Sequence, residues 1–403
     1  MKTTSIVLWG LFLVSQLAAC QPQKFESFDN WQKAAQNPYR VGTLTLKGDS
    51  IKEFPQEIFK MKNLDDLYIS YTRLNKFPSR LGELKRLRRL TISDNQLTTL
   101  PDEIGELQNL TSLQIWEDEL QSLPKTIGQL KNLETLSISK HAINDKDKTA
   151  LKTLPASIGK LTKLKNLFIV LNKMTHLPHS VGQLQNLEQF FLAERNIQGL
   201  PPSFGKLPKL TYLRIQQGQA LDFDSTLTII GRLPALKLLR LDFVPLKRIP
   251  AAFGNSKSIK DLGIISDSLK SFPKAICQLS QLEELSIMGK NIRQVPAEVA
   301  QLSSLKRLYL RSNGAFPQAL CQIPNLEELR IEGKAIDQVP PQISLLLTLR
   351  KLEIHTEAKS LKIPWQIRYL KRLKVLTLQD KLFSEKQKKQ IKWWLPFATI
   401  VYK

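Results

Sequence analysis

Few side chains in this sequence stand at the spacings that metal or acid–base chemistry needs. His176 and His179 flank Leu177-Pro178, but no cysteine or carboxylate lies at the ligand spacing of a zinc site. Asn144-Asp145-Lys146-Asp147 matches part of a calcium-binding loop and lacks the later glycine and bidentate glutamate. The sequence contains no phosphate-binding loop, dinucleotide fingerprint or nucleophile elbow. We therefore expect no metal ion, no cofactor and no catalytic residue, and a protein that is not an enzyme.

Cys20 is the one position where a covalent modification is expected. A lysine and an apolar stretch from Ile6 to Leu17 precede it, an order typical of a cleaved export signal over residues 1–19. Leu17-Ala18-Ala19-Cys20 resembles the bacterial lipobox, in which the cysteine is acylated and becomes the new N-terminus. Several acyl chains on one residue anchor a protein stably, whereas a single chain anchors it only marginally. The alternative is an ordinary signal with a chance cysteine.

The residue after the cysteine bears on location. Gln21, rather than an aspartate, favours the outer membrane over the inner membrane, by analogy with lipoprotein sorting. We therefore expect a lipid-anchored protein in the cell envelope of a Gram-negative bacterium.

The formal net charge of +23 has two readings. It suggests an affinity for anionic partners, such as an anionic glycan. It is also what a long repeat array acquires when lysines solvate its outer loops, and we favour this second reading.

Internal periodicity decides the predicted fold. Apolar-proline pairs recur mostly every 23 residues, with one step of 31 and one of 49. The longer steps indicate an eight-residue insertion and a repeat that lacks its proline. The prolines of these pairs are Pro55, Pro78, Pro101, Pro124, Pro155, Pro178, Pro201, Pro250, Pro273, Pro296, Pro317, Pro340 and Pro364.

Each repeat contains an L-x-x-L-x-L segment, such as Leu110 to Ile115, which predicts a strand. Because alternate strand residues share a face, Leu113 and Ile115 should point together into a core. Ile104 and Leu107, three residues apart on a short helix, should meet them from the other side, with proline at the first helical position. Counted this way, the chain has about 15 strands.

This 23-residue pattern closely resembles the P-x-x-I-G-x-L-x-x-L-x-x-L-x-L-x-x-N-x-L class of leucine-rich-repeat proteins, found in bacteria, in plant intracellular Ras-group proteins and in scribble-like scaffolds. The resemblance implies an α/β solenoid, a curved right-handed superhelix with a parallel sheet on its concave face, short helices and loops on its convex face, and protein-binding activity. The chain departs from the class at the asparagine position, which only Asn95, Asn172 and Asn313 keep. This departure predicts looser loops.

Four segments are expected. Residues 1–19 are the signal, residues 20–40 the anchor, tether and a cap helix near 28–36, residues 41–383 the repeat array, and residues 384–403 a C-terminal cap. In this cap, Ser384 should begin a helix that runs to about Leu395, and residues 399–402 should add a last strand. The stretch 216–228 is expected to be irregular.

The variable strand positions that face outward hold a set of aromatic and arginine side chains. Such side chains are the usual anchors of interfaces, and contiguous exposed apolar area usually means binding. The alternative is that a few aromatics occur by chance and merely cover the sheet. The candidate ligand-binding residues are Tyr68, Tyr71, Trp116, Phe168, Leu171, Phe191, Tyr212, Arg214, Arg240, Phe243 and Tyr309.

Cys277 and Cys321 occupy the same position in their repeats, which is usually the glycine of Ile-Gly. The repeat between them separates them by about 10 Å or more, since neighbouring strands lie about 4.8 Å apart. A disulfide stops near a Cα separation of about 7 Å. We therefore expect two free thiols, each acting as a small apolar side chain.

These features predict a monomeric binding scaffold on the bacterial envelope that recognises a protein through its concave face. The alternatives are a carbohydrate or lipopolysaccharide binder and a structural envelope protein without a discrete ligand. Nucleic-acid binding is not expected, because no basic helix or aromatic platform motif is present.

Acylation of Cys20 is directly testable. Cells fed an alkyne fatty acid should label the wild-type chain and not the Cys20→Ser variant, as seen by in-gel fluorescence after coupling to an azide dye. Equal labelling of the two chains would refute the lipobox interpretation.

Overall fold

The computed structural model describes residues 25–116, 119–140, 151–170 and 173–403. Within these ranges the chain forms 17 strands, all parallel, and each pairs with the next along the sequence. The signal, Cys20, Asn144 to Asp147, Leu171 and Asn172 lie outside the described residues. The strands are β1 Glu26–Phe28, β2 Val41–Lys47, β3 Asp66–Ser70, β4 Arg89–Ser93, β5 Ser112–Trp116, β6 Thr135–Ser139, β7 Asn166–Val170, β8 Gln189–Glu194, β9 Tyr212–Gln217, β10 Leu238–Asp242, β11 Asp261–Ile265, β12 Glu284–Met288, β13 Arg307–Ser312, β14 Glu328–Gly333, β15 Lys351–Thr356, β16 Val375–Leu378 and β17 Thr399–Tyr402.

Alternation of buried and outward residues along most strands builds the core. In β5, Leu113 and Ile115 are buried while the residues between and beside them face outward. Leu113 pairs with Leu136 of β6, and Leu136 pairs with Leu167 of β7, across the eight-residue insertion. Each fully buried leucine contributes about 1.5–3 kcal/mol. The result is the predicted leucine-rich-repeat solenoid, with the sheet on its concave face.

All 15 strands that the repeat predicts are present, and two more lie at the ends. The expected cap helix near 28–36 is partly wrong, because Phe28 belongs to β1 and pairs with Leu44. The helix α1 spans Trp31–Gln36 instead, and it begins where the Asn30 side chain accepts a hydrogen bond from the amide of Lys33. A capping asparagine therefore sets the start of the helix, and apolar periodicity does not.

The convex side is built from short 3-10 turns rather than from α-helices. The prediction of proline at the first helical position is wrong. Pro101, for example, lies just before its turn with an extended backbone, and its carbonyl accepts a hydrogen bond from the amide of Ile104. The turns are Pro38–Arg40, Gln56–Lys60, Ser79–Glu83, Asp102–Glu106, Lys125–Gln129, Ala156–Lys160, His179–Gln183, Pro202–Lys206, Ala251–Asn255, Lys274–Gln278, Ala297–Gln301, Gln318–Gln322, Pro341–Leu345, Trp365–Tyr369 and Asp380–Leu382.

One repeat replaces its turn with an α-helix. The expectation of an irregular stretch over 216–228 is wrong, because β9 continues to Gln217 and α2 spans Phe223–Ile230. This repeat lacks the proline, and the Asp222 side chain caps the helix by accepting from the amide of Asp224. Phe223, Leu227 and Ile230 lie four and three residues apart and turn one buried face toward the core.

The C-terminal cap follows the capping pattern in the sequence. Helix α3 spans Glu385–Trp394 after Ser384, whose side chain forms a reciprocal capping box with Gln387. Ile391 and Leu395 are buried against the last repeat, and β17 completes the sheet. No helix in the described ranges is long and apolar enough to cross a membrane.

The asparagine position behaves differently in the two halves of the array. Asn95 is buried, accepts hydrogen bonds from the backbone amide and hydroxyl of Thr72, and donates to the carbonyl of Ile69. Strand β13 is one residue longer than β4, so Ser312 turns inward and Asn313 does not. The buried asparagine that bridges two repeats by hydrogen bonds is therefore present at Asn95, whereas Ser312 takes the inward position beside Asn313.

In most repeats the convex turns stack closely because a small residue stands where one turn lies on the next. A Cβ atom added to Gly105 would lie 2.7 Å from the carbonyl oxygen of Thr126, and one added to Gly182 would lie 2.5 Å from that of Ser203. Backbone atoms cannot move aside as a flexible side chain can. Gly199, in the same repeat as Gly182, has open space around it.

Two glycine substitutions in one repeat test this constraint. Gly182→Ala should lower the free energy of unfolding by about 1–3 kcal/mol, since the added methyl group overpacks the turn interface. Gly199→Ala should leave stability unchanged or raise it by about 0.4–1 kcal/mol, because it only reduces the freedom of the unfolded chain. Thermal melts and urea titrations of the two variants measure this difference. Equal melting points would contradict the packing described for Gly182.

Candidate functional site

The outward side chains of the sheet form straight rows, because parallel register places equivalent positions side by side. The row through the middle of the concave face changes character along the array. It is polar and aromatic in the first half and charged in the second. From β3 to β15 it contains Tyr68, Thr91, Gln114, Ser137, Phe168, Phe191, Arg214, Arg240, Gly263, Ser286, Tyr309, Arg330 and Glu353.

Three of the candidate residues form an aromatic patch, defined here as Trp116, Phe168 and Phe191. Phe168 and Phe191 are direct neighbours on β7 and β8. Trp116 is 40% exposed, and its indole N–H donates to the hydroxyl of Ser137, which is itself the neighbour of Phe168. The indole therefore leans over small serine side chains toward the two phenylalanines. The three rings give the first half of the concave face an apolar centre.

Arg214 closes one side of the aromatic patch. Its guanidinium lies over the Phe191 ring, 5.0 Å from the centroid, and its Nε donates to Asp242 at 2.7 Å. Cation–π contact and ion pairing together fix this side chain. Arg214 therefore frames the patch and is not a free cation.

The second half of the concave face is a charged groove, a cavity of about 310 Å³ lined by side chains from β10 to β15. Most acids and bases of the groove, and of the strand ends beside it, are paired with one another. Arg307 binds Glu284, Arg311 and Arg330 both bind Glu332, and His355 and Lys403 both lie against Glu353.

Arg240 reaches its partner because the next strand carries a glycine. A Cβ atom added to Gly263 would lie 2.6 Å from Cδ of Arg240, so the arginine lies across the glycine backbone. Beyond it, the guanidinium makes two hydrogen bonds to Asp261, at 2.7 and 2.6 Å. Bidentate pairs of this kind are the strongest of the common ion pairs. Arg240 is therefore engaged within the sheet.

Pairing lowers the pKa of three acids in this half. For Glu284, hydrogen bonding from Arg307 lowers the pKa of the carboxyl group. For Glu332 and Glu353, burial is the largest single effect and would raise the pKa. It is outweighed by several partners together: hydrogen bonds from Arg311 and Arg330 to Glu332, and the His355 hydrogen bond with the positive charges of Arg330 and Lys403 at Glu353. A lowered pKa in the folded chain stabilises the fold above the unfolded pKa. That contribution is lost as the pH falls through the folded value.

The remaining candidates are dispersed. Tyr68 and Tyr212 are half-buried on β3 and β9, and Tyr309 lies in the charged groove under the guanidinium of Arg330, at 4.7 Å. Tyr71 and Phe243 lie just past β3 and β10, are 57% and 61% exposed, and have φ angles of 52° and 55°. Leu171 lies outside the described residues.

Other reactive side chains take structural positions. His176 contacts the hydroxyl of Thr175, and both His176 and His179 are exposed. In the parts of the chain that the structure describes, no group of three or more His, Cys, Asp or Glu could hold a metal ion. Cys277 and Cys321 are free and buried, as expected. Burial raises the pKa of their thiols to about 11 and about 12, which makes them poor nucleophiles.

The charged groove is the feature that sequence reasoning missed. A signal for it was present, since the first outward positions of β11 to β15 read Asp261, Glu284, Arg307, Glu328 and Lys351. Read across repeats rather than along the chain, opposite charges stand side by side from Glu284 to Lys351.

Comparisons with known proteins agree with the fold. A model of the leucine-rich repeat region matches residues 39–257 and 251–393. The chain is similar to a leucine-rich-repeat protein of Leptospira interrogans, with 27% identity, a TM-score of 0.66, and coverage of 94% of this chain and 100% of the other. No curated protein matches the sequence.

Two more distant structures share the fold alone. An internalin of Listeria monocytogenes is 17% identical, with a TM-score of 0.56 and coverage of 79% of this chain and 88% of the other. A chain in the Drosophila Toll–Spatzle complex is 15% identical, with a TM-score of 0.60 and coverage of 88% of this chain and 55% of the other.

The ion pair between Arg240 and Asp261 can be tested by measuring the free energy of unfolding of variants. Arg240→Ala should lower the free energy of unfolding by about 1–3 kcal/mol, because it leaves the largely buried Asp261 carboxylate without its partner. Adding Asp261→Asn should restore most of the loss. Arg248→Ala removes a well-exposed pair with Asp224 and should change stability by no more than about 0.5 kcal/mol. Urea midpoints compare the variants, and a double variant no more stable than Arg240→Ala would contradict the coupling.

Proposed function

The chain belongs to the leucine-rich repeat family, and from this premise we propose that it is a non-enzymatic scaffold that binds a protein partner through the aromatic patch on its concave face. The observation that carries the proposal is the juxtaposition of Trp116, Phe168 and Phe191 on three strands of one sheet. Large aromatic side chains with few rotatable bonds lose little entropy when a partner covers them. They are therefore frequent among the residues that dominate binding energy.

The aromatic patch is a better docking surface than the charged groove. In the groove, Arg240, Arg307 and Arg330 already bind carboxylates of the same sheet. A partner would have to break these pairs or bury them whole, and the desolvation of ion pairs offsets much of the gain. At the patch a partner mainly displaces water from aromatic rings, with Arg214 covering one side of Phe191, and the release of water from apolar surface favours association. The groove is then suited to excluding partners of the wrong charge pattern.

Two further considerations support the proposal. The described residues hold no cluster that could bind a metal ion, and the two thiols outside the N-terminus are buried with raised pKa values. The complex of Toll with Spatzle contains a chain of similar fold, so the fold accommodates protein partners.

The proposed location is the bacterial envelope, with the lipid on Cys20 as the anchor. The support is the order of charge, apolar stretch, small residues and cysteine at the N-terminus. The aromatic patch on β5 to β8 lies several strands away from β1, the first strand of the sheet.

Photocrosslinking in intact cells tests the proposal and identifies the partner in the same experiment. Replacing Ser139, the neighbour of Trp116 on β6, with p-benzoylphenylalanine puts the crosslinker beside the patch. The same replacement at Lys206, on a convex turn, is the control. Mass spectrometry of the products should find a protein that is crosslinked at 139 and not at 206.

Binding of that protein should then depend on the patch. The triple variant Trp116→Ala, Phe168→Ala and Phe191→Ala should weaken binding about 100-fold or more, since hot-spot residues each contribute about 2 kcal/mol or more. Tyr39→Ala, an exposed aromatic on the N-terminal cap, should leave it unchanged. Calorimetry measures both, and thermal melts confirm that the triple variant folds. Unchanged affinity of the triple variant, or glycan-array binding without a protein partner, would overturn the proposal.

A further inference from the structure

Exposed apolar side chains are concentrated near the C-terminus. Of the ten large hydrophobic residues that are exposed in the described ranges, six lie between residues 345 and 397. Scattered exposed apolar residues are normal, but a group of them marks an interaction site. We call this group the C-terminal aromatic surface; its members are Leu345, Leu347, Trp365, Tyr369, Trp393 and Phe397.

These residues lie on or just after two convex turns and the C-terminal helix, away from the concave face. The convex turns Pro341–Leu345 and Trp365–Tyr369 stack on each other, and α3 packs against the second turn. Trp365 and Tyr369 have ring centroids 5.8 Å apart. The guanidinium of Arg368 lies 4.5 Å and 5.2 Å from these centroids, so a cation is held among exposed rings.

The loop after α3 is built to keep Phe397 outside. Leu395 and Ala398 on either side of it are buried, and the ammonium group of Lys392 donates to the carbonyls of Pro396 and Ala398. Phe397 itself is 94% exposed. Because its neighbours are buried and fix the loop, the exposed Phe397 side chain is available to contact a partner.

Positive charge surrounds the same surface. Residues 341–403 carry 14 Lys and Arg side chains against 4 Asp and Glu. On α3, Lys386, Lys389 and Trp393 lie three and four residues apart and share one exposed face. Lys388 points the other way and binds Asp380 and Glu385. Among the described residues, no carboxylate forms an ion pair with Lys386 or Lys389.

We infer that the C-terminal aromatic surface binds the surface of an anionic phospholipid bilayer. Trp and Tyr rings favour the interface between headgroups and acyl chains, and exposed lysines are attracted to anionic headgroups. Phe397 and the two leucines supply apolar area that a bilayer can receive and a nucleic acid cannot. A second copy of the chain is a poor fit, because like charges would face each other across the contact. The inference is independent of a lipid on Cys20.

A local probe at the surface gives the sharpest test. The full chain carries Cys20→Ser, so that no acyl chain is attached, and Phe397→Cys is labelled with an environment-sensitive dye. Cys277 and Cys321 are buried thiols with raised pKa values and should not react. Emission should shift to the blue with vesicles that contain about 30% phosphatidylglycerol and not with pure phosphatidylcholine. The same dye on Thr91→Cys, on the concave face and outside the aromatic patch, should show no shift.

Charge variants provide the second arm. Lys386→Glu with Lys389→Glu should weaken the vesicle affinity reported by the 397 probe about tenfold or more, and added salt should weaken it further. Lys206→Glu with Lys257→Glu, exposed residues on and just after convex turns in the middle of the array, makes the same change in net charge and should have little effect. Thermal melts verify that both pairs fold.

Several outcomes would overturn the inference. One is a shift of equal size with neutral and anionic vesicles, and another is equal loss in the two charge pairs. No shift at 397 with either vesicle would also reject it. A dye shift without vesicles, together with self-association that increases with protein concentration in sedimentation experiments, would assign the surface to self-association instead. A dye shift caused by RNA or DNA would assign it to nucleic acid.

Discussion

Each inward apolar residue of one strand lies beside its counterpart in the next strand, and everything else in the molecule depends on this register. Leu113, Leu136 and Leu167 are successive members of one such row. Because side chains alternate between the two faces of a strand, a slip of one residue would turn the whole apolar row toward water. The same register lines up the outward positions. Phe168 therefore meets Phe191, and an eight-residue insertion between β6 and β7 does not disturb the alignment.

On the convex side, the same register limits the size of the side chain that fits between stacked turns and does not require it to be apolar. Where Gly105 or Gly182 stands, the next turn comes so close that a Cβ atom would meet backbone oxygen. Cys277 and Cys321 occupy the same place in later repeats. They keep a small, apolar and uncharged side chain there, and burial keeps their thiols protonated. Their chemistry is thus subordinate to packing.

The repeat made the array predictable, since a pattern seen more than a dozen times leaves little choice of strand position or facing. Features outside the repeat were harder. β1 has only three residues, and its neighbour Phe25 packs onto Gly42 without any sequence periodicity to announce it. Helix α2 replaces a turn because one proline is missing. Arg214 and Arg240 were expected to face a ligand, yet both bind acids of the sheet. Such ion pairs depend on which acidic residue lies opposite on the adjacent strand, and only the strand register shows this.

The distribution of charge separates the two interaction surfaces. On the concave face, acids and bases of β10 to β15 largely satisfy one another, so this half contributes little attraction to a distant anion. Excess positive charge is instead concentrated in residues 341–403, where Lys386 and Lys389 of α3 form no ion pair with a described residue and lie near exposed aromatic rings. The aromatic patch projects from the strands on the concave face. Leu345, Trp365 and Tyr369 lie on turns of the convex side, in later repeats. Occupation of one surface therefore leaves the other accessible, and a chain held against a bilayer by its C-terminal end keeps its concave face free for a protein.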